Sequence, residues 1–333
     1  SSEGMDTSLT PDLSVDFCGF RLRNPVILAS GILGTSAALL ERVARGGAGG
    51  VTSKSCSPKP RTGHPNPTVL DWGYGYLNAV GLANPGVEEQ LHILWDTKER
   101  LSPLGVALIA SIFAETVDGF ARTAERVSQA RPDFIEVNIS CPNVAHELGR
   151  PFSAEAESAA AVTRAVKGVT DIPVLIKLSP NVTSIAEIAR AVEEAGADAI
   201  TAINTLSGML IDIRAARPIL SNREGGISGP ALKPVAVRSI YECYRAVSIP
   251  ILGVGGVMTG DDAVELIMAG ATAVGVGSAT HRRGAEALGQ IAEEIRAFMA
   301  DEGYRRVEEM RGLAHHSAGR TEASGAVDIG GRR

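Results

Sequence analysis

Eight short apolar segments alternate with helical segments along the chain, and this alternation constrains the fold more than any other feature. Each segment is almost continuously apolar, which is typical of parallel strands buried on both faces. The predicted strands span residues 25–30, 49–54, 105–111, 133–140, 173–179, 198–204, 250–256 and 273–278. Amphipathic helices lie between them; one is predicted over 184–196, capped by Ser184 and ended by Gly196.

Eight strand–helix units over about 280 residues match an α/β fold of the (β/α)8 TIM-barrel type in number and length. A doubly wound sheet is the alternative, because periodicity alone does not distinguish the two. No linker-like stretch divides the chain, so a single domain is predicted over residues 13–312. Residues 1–12 are an N-terminal extension whose first four residues are consistent with an expression scar, and residues 313–333 are predicted to be a mobile tail.

Composition excludes several classes of function. With 38 acidic and 32 basic residues the chain offers no basic surface, so nucleic acid is not an expected partner. No apolar run approaches the roughly 20 residues that span a bilayer, so no membrane association is expected. Cys18, Cys56, Cys141 and Cys243 are far apart, which argues against a zinc or iron–sulfur site, and no metal is predicted. No leader is visible, which favours the reducing cytoplasm.

The two longest insertions, residues 55–90 and 205–230, follow the second and sixth predicted strands. Both would rise from the C-terminal mouth of a barrel, where active sites of this fold are built. The segment "NISCPN" (138–143) ends the fourth strand and brings Cys141 to the same mouth. Taken alone, Cys141 is explained equally well as a catalytic thiol or as a buried strand-end residue, because free cysteine is often buried.

Glycine pairs end the last two predicted strands, in "GVGG" (253–256) and "GVGS" (275–278). Glycine lets backbone N–H groups approach an anion closely, and the loops after strands seven and eight are the usual phosphate site of such barrels. The phosphate could belong to flavin mononucleotide (FMN) or to a sugar-phosphate substrate. No G-x-G-x-x-G follows a strand, so a nicotinamide or FAD site is not expected in this chain.

Two lysines, Lys54 and Lys177, also lie at strand ends. Each could be a solvated rim residue, but in a flavin site an ammonium stabilises the anion that forms when the isoalloxazine accepts a hydride. Four asparagines lie at predicted loops or strand ends: Asn78, Asn138, Asn143 and Asn204. Each could be a turn residue, whereas together they supply donors and acceptors for a planar, amide-rich substrate.

The ordered segments "KPRTGHPNPTV", "LNAVGLANPGVE", "NISCPN", "INTLSGMLIDI", "GGISGPALKPVAVR" and "IPILGVGG" resemble dihydroorotate dehydrogenase, most closely the catalytic subunit of type 1B enzymes. The resemblance implies an FMN-binding (β/α)8 barrel that oxidises dihydroorotate to orotate in pyrimidine biosynthesis. Cys141 matches the catalytic base, which takes the C5 proton while C6 delivers hydride to the flavin, and Lys54 is the second catalytic residue. Cys56, close to Lys54, is the rival thiol.

The resemblance also implies the residues that bind cofactor and substrate. The flavin contacts are Ser30, Lys54, Ser55, Asn138, Lys177, Ile203, Gly229, Gly255, Gly256, Gly277 and Ser278. The orotate contacts are Lys54, Asn78, Ala79, Val80, Gly81, Leu82, Asn138, Asn143, Asn204 and Thr205. One position departs from the family pattern: Ser111 stands where an asparagine often faces the flavin.

The type 1B resemblance implies a partner subunit that carries FAD and a [2Fe–2S] cluster and reduces NAD, with this chain as the homodimer core of a heterotetramer. Three alternatives stay open at this point. They are a fumarate-dependent type 1A enzyme, a flavoenzyme that acts on dihydrouracil as dihydropyrimidine dehydrogenase does, and a non-redox barrel enzyme acting on a sugar phosphate.

Overall fold

The computed structural model describes residues 10–140 and 151–316. The strands among these residues, in chain order, are β1 (Val15–Phe17), β2 (Phe20–Leu22), β3 (Val26–Leu28), β4 (Gly50–Thr52), β5 (Val69–Asp71), β6 (Tyr76–Asn78), β7 (Ala107–Ile112), β8 (Phe134–Asn138), β9 (Val174–Leu178), β10 (Ala199–Ala202), β11 (Leu206–Gly208), β12 (Ile211–Asp212), β13 (Arg217–Pro218), β14 (Gly225–Ser228), β15 (Ile251–Val254) and β16 (Ala273–Val276).

The helices follow the same order. The α-helices are α1 (Ala37–Arg45), α2 (Val87–Leu101), α3 (Val117–Ser128), α4 (Ala156–Lys167), α5 (Ile185–Glu194), α6 (Lys233–Ala246), α7 (Gly260–Ala269), α8 (Ala279–Arg283) and α9 (Ala287–Glu302). Short 3-10 helices span Ser102–Leu104, Phe152–Ala154, Pro230–Leu232, Val307–Glu309 and Leu313–His315. No helix in the described ranges is long and apolar enough to cross a membrane.

Eight parallel strands close into a barrel in the order β3-β4-β7-β8-β9-β10-β15-β16, with β16 paired to β3. These are the eight strands predicted from the apolar segments, each one to three residues shorter than its segment. The strands are almost wholly buried because their outer faces are covered by a ring of helices that contact one another in sequence. The TIM-barrel prediction is therefore confirmed, and the closed sheet rules out the doubly wound alternative.

Side-chain caps fix where several helices begin. The Ser184 hydroxyl accepts a hydrogen bond from the Glu187 N–H at 3.3 Å, so α5 begins where the sequence predicts. At α7, Thr259 and Asp262 form a reciprocal capping box. Because these caps set the start of each helix, they also set the length of the loop between each strand end and the helix that follows it.

The two insertions form a second sheet at the carboxyl ends of the strands. Strands β5 and β6 from the first insertion pair with β14 and β11 from the second, in the order β11-β14-β6-β5. The strands β12 and β13 form a hairpin beside it. The opposite end of the barrel is covered by the β1–β2 hairpin, whose Phe17 ring lies 5.4 Å from that of Phe134, the first residue of β8.

Two elements differ from the sequence analysis. Helix α8, which begins directly after Ser278, was not identified in the sequence, because five residues are too few to show helical periodicity. Residues 313–316, assigned to the tail, pack on the barrel helices. The His315 ring stacks on Tyr241 of α6 at 3.7 Å, and its Nε2 lies 2.8 Å from the carbonyl oxygen of Ala269.

Candidate active site

The carboxyl ends of the barrel strands bring most of the predicted site residues to one mouth. Parallel strands in a closed barrel end on the same side, so residues that end or follow different strands become neighbours. Ser30 follows β3, Lys54 follows β4, Asn138 ends β8 and Lys177 lies near the end of β9. Ile203, Asn204 and Thr205 follow β10, Gly255 and Gly256 follow β15, and Gly277 and Ser278 follow β16.

Hydrogen bonds connect the polar residues at this mouth. The Asn204 side-chain amide donates to Oδ1 of Asn138 at 3.2 Å, and the Thr205 N–H donates to Oδ1 of Asn204 at 2.8 Å. Across the barrel, Nζ of Lys177 donates to Oγ of Ser30 at 3.1 Å. Asn138 and Lys177 are buried, so these hydrogen bonds restrict the side chains to one arrangement at the ends of β8 and β9.

Lys54 is a half-buried cation with no counter-ion among residues 10–140 and 151–316. Its Nζ makes no hydrogen bond or ion pair with another described residue, while its backbone N–H donates to the carbonyl oxygen of Gly34 at 2.9 Å. Burial lowers the pKa of the Lys54 ammonium from its ordinary value. A desolvated ammonium without a carboxylate partner is suited to bind an anionic ligand.

The second sheet positions the predicted substrate loop, residues 78–82. Asn78 ends β6, and its side-chain amide donates to the carbonyl oxygen of Gly226 in β14 at 3.3 Å. Gly81 and Leu82 both adopt positive φ, 78° and 57°, which bends the loop sharply. The carbonyl oxygen of Val80 accepts a hydrogen bond from the His64 N–H at 3.0 Å, so another part of the first insertion stabilises the loop.

Asn84 stabilises the loops around the site and was not identified from the sequence. Its buried Oδ1 accepts from the N–H groups of Ser57 at 3.2 Å and Gly86 at 2.8 Å, and its amide donates to the Ser57 hydroxyl at 2.9 Å. These bonds tie the substrate loop to the loop that carries Lys54. The dipeptide Asn84-Pro85 after the loop was the available signal, because an asparagine before proline commonly fixes a turn.

Glycine-rich backbone lies at the ends of β15 and β16. Gly255 and Gly256 have φ of 140° and 74°, and a Cβ on Gly256 would lie 2.8 Å from the backbone nitrogen of Lys233. Within residues 10–140 and 151–316, the N–H groups of Gly256, Gly277 and Ser278 donate to no protein acceptor. Gly229, with φ of 82°, faces Tyr76 in the second sheet. Free N–H groups on a narrow backbone are the arrangement that binds phosphate.

Ser111 contacts another predicted site residue. Its Oγ lies 2.6 Å from Oγ of Ser55, and both side chains are buried at the ends of neighbouring strands. The Ser111 N–H also donates to Oγ of Ser53 at 3.3 Å. The serine pair therefore occupies the position where the sequence analysis noted a departure from the family pattern.

The described cysteines are unsuited to act as a base. Burial raises the pKa of Cys56 to about 12, and it does the same for Cys18 and Cys243. Cys56 is wholly buried beside Ile112 rather than directed at the mouth. Cys141 and Asn143 lie outside the described residues. No group of three His, Cys, Asp or Glu side chains suitable for a metal occurs in the part of the chain that the structure describes.

The chain matches known proteins over most of its length. Residues 12–299 match the profile of the dihydroorotate dehydrogenase family. The chain belongs to this family. It is 48% identical to a protein of Methanothermobacter thermautotrophicus named dihydroorotate dehydrogenase B (NAD(+)), catalytic subunit, over 91% of this chain and 98% of the relative. Two relatives carry the same name. The protein of Methanocaldococcus jannaschii is 44% identical over 91% of this chain and 98% of the relative, and that of Bacillus pumilus is 43% identical over 92% of this chain and 100% of the relative.

The comparisons confirm the resemblance found in the sequence. The family is one of flavoenzymes, and the words "catalytic subunit" in the relatives' names imply that those proteins work with a second subunit. The residues at the barrel mouth fit a flavin with a phosphate group. Lys54 and Lys177 lie at strand ends around the mouth, and N–H groups that donate to no acceptor among the described residues lie at two adjacent strand ends.

Proposed function

We propose that this chain oxidises (S)-dihydroorotate to orotate in pyrimidine biosynthesis, using bound FMN. The proposal rests on the arrangement of side chains at the mouth of the barrel. There the half-buried Lys54, whose ammonium has no partner among the described residues, lies in the same opening as the hydrogen-bonded amides of Asn138 and Asn204. An anionic cyclic diamide needs one cation for its carboxylate and paired donors and acceptors for its ring amides, and this mouth offers both.

FMN fits the site better than FAD. The N–H groups of Gly256, Gly277 and Ser278, which donate to no acceptor among the described residues, would bind its single phosphate. The sequence contains no glycine fingerprint for a dinucleotide. Ser30, Lys54, Asn138 and Lys177 would contact the ring system. The remaining contacts assigned to the cofactor are Ser55, Ile203, Gly229 and Gly255. Bound FMN would supply the acceptor for the hydride that leaves C6 of dihydroorotate.

The substrate carboxylate would be held by Lys54 and by the loop of Asn78, Ala79, Val80, Gly81 and Leu82. Asn138, Asn143, Asn204 and Thr205 would pair with the ring amides. Cys141 would act as the base, its Sγ taking the proton from C5. Loss of this proton and of the C6 hydride leaves the C5–C6 double bond of orotate. The thiolate is the active form, and an unperturbed thiol has a pKa of about 8.5.

The electrons would leave through a partner subunit that carries FAD and a [2Fe–2S] cluster and reduces NAD. The names of the relatives support a partner of this kind, since they join "catalytic subunit" to "NAD(+)". We assign the chain to the cytoplasm, as the homodimer core of a heterotetramer.

Anaerobic reduction of the flavin by substrate tests this function. The purified chain should be yellow, with flavin absorbance near ~450 nm that is bleached by dihydroorotate. Dihydrouracil, which lacks the carboxylate, should bleach it far more slowly because Lys54 then has no anion to bind. Faster bleaching by dihydrouracil would favour the dihydropyrimidine dehydrogenase-like alternative. A colourless chain that binds no FMN would favour the sugar-phosphate alternative.

The phosphate contact predicts the effect of Gly256→Ala. Positive φ costs alanine roughly 1–2 kcal/mol, and the new Cβ would press on the backbone of Lys233. FMN affinity should therefore fall by about tenfold or more, as measured by flavin release during dialysis or by titration of the apoprotein. Gly303→Ala is the matched control, because Gly303 also has positive φ (81°) but no atom within 4 Å of its Cβ position. Equal affinity of both variants for FMN would show that the phosphate does not bind at Gly256.

A further inference from the structure

Glu136 and Lys177 are the only ionisable residues in the eight barrel strands, all of which the structure describes. The strands β3, β4, β7, β10, β15 and β16 contain apolar, glycine, serine and threonine residues alone. Glu136 lies on β8 and Lys177 on the neighbouring β9. Their side chains are 2% and 8% exposed. Two opposite charges on adjacent strands in an otherwise uncharged barrel call for an explanation.

The strand register sets the two residues at different depths. Asn138 pairs with Lys177 across β8 and β9, so Glu136 lies two residues further from the mouth on the same face of its strand. Thr201 of β10 pairs with Lys177 on the other side. The carboxylate of Glu136 therefore lies beneath the ammonium, away from the opening where ligands enter.

The contacts form a chain of four side chains. The Thr201 hydroxyl donates to Oε2 of Glu136 at 3.0 Å, which orients the carboxylate. Oε1 of Glu136 lies 3.9 Å from Nζ of Lys177, too far for a hydrogen bond, and has no hydrogen-bond partner among the described residues. Nζ of Lys177 donates instead to Oγ of Ser30. The ammonium is thus held at the mouth by Ser30 with a negative charge below it.

Stability alone does not account for this pair. Removing two charges from water is costly, and buried ion pairs are often replaceable by apolar residues without loss of stability. The geometry is also poor for a stabilising pair, because one carboxylate oxygen remains without a donor. The arrangement instead places a fixed negative charge close to one of the two cations assigned to the flavin, Lys54 being the other.

We propose that Glu136 is a positioning residue that holds the Lys177 ammonium at the flavin and offsets part of its charge, so that it sets the reduction potential of the bound cofactor. The inference rests on the flavin site of the proposed function. Lys177 favours reduced flavin because the reduced ring carries negative charge, and Glu136 opposes that effect. Thr201 takes part by orienting the carboxylate.

Two substitutions at residue 136 separate charge from shape. Glu136→Gln keeps the shape and the bond from Thr201 but removes the charge, so the reduction potential should rise. We expect the preference for reduced over oxidised flavin to increase about tenfold, which equals ~30 mV for a two-electron couple. Glu136→Asp keeps the charge and shortens the side chain, so the potential should stay close to wild type while the melting temperature falls. The potential is measured by equilibrium titration against reference dyes.

Lys177→Met should have the opposite effect, because loss of the cation should lower the reduction potential of the bound flavin. The double variant Glu136→Gln/Lys177→Met should lie between the two single variants. An unchanged or lowered potential in Glu136→Gln, or equal shifts in the Gln and Asp variants, would overturn the inference while leaving the proposed function intact. A wild-type chain that binds no flavin would overturn both.

Discussion

Replacement of Cys141 by alanine is expected to leave FMN bound but to slow its reduction by dihydroorotate by about 10²–10⁴-fold, the contribution that a positioned general base makes. The C5 proton would then have no acceptor in the chain, while the contacts to phosphate and ring remain. Stopped-flow bleaching under anaerobic conditions measures the rate. Cys141→Ser should keep a small activity that rises at high pH, since a hydroxyl is a far weaker acid than a thiol.

Cys56→Ala is the matched control for this prediction. The Cys56 thiol is also close to Lys54 in sequence, but burial raises its pKa to about 12 and it is enclosed beside Ile112. It would carry almost no thiolate at the pH of the assay, so its loss should leave the rate of flavin reduction close to wild type. Near-normal reduction in Cys141→Ala, with a slow Cys56→Ala variant, would transfer the role of base to Cys56.

The barrel could be predicted from the sequence because its signal is local. Each strand is an almost continuously apolar run, and several helices show their own periodicity and a capping residue, as at Ser184. Eight such units favour a (β/α)8 barrel, and in a barrel the carboxyl ends of the strands meet at one mouth. This is why residues as distant as Ser30 and Lys177 could be assigned to one site before their hydrogen bond was known.

The second sheet could not be predicted in the same way. Its strands are three or four residues long, and β5 and β11 are largely exposed, so they lack the apolar runs that reveal the barrel strands. The pairing of Asn78 with Gly226 joins two insertions that are distant in the chain. Such pairings depend on the finished barrel, which brings the two insertions together, and not on any local preference.

The role of Glu136 was missed for a different reason. The segment "DFIEVNIS" was interpreted only as a buried strand, although a glutamate inside a continuously apolar run is itself a signal. Its meaning depends on the register between β8 and β9, which sets the carboxylate below Lys177. A sequence can therefore indicate that a charge is buried, while the structure is needed to identify its partner.

The isolated chain is expected to be reduced by dihydroorotate but to form no NADH. Hydride transfer to NAD needs a nicotinamide site, and the sequence has no G-x-G-x-x-G after a strand. One-electron transfer through a cluster needs clustered thiolates, whereas the described cysteines are separate and buried or half-buried. Reoxidation should occur with dyes or oxygen, and NADH formation, followed by absorbance at ~340 nm, should fall below detection.

Addition of a purified partner subunit that carries FAD and a [2Fe–2S] cluster should restore NAD reduction, because the electrons then have a path from FMN to a nicotinamide site. The Cys141→Ala chain is the control: combined with the same partner it should form NADH at least about 10²-fold more slowly, while the partner's own oxidation of NADH by dyes continues. NADH formation by the chain alone would contradict the type 1B assignment. Rapid turnover with fumarate in the absence of any partner would instead identify a type 1A enzyme, in which fumarate reoxidises the flavin at the site that dihydroorotate leaves.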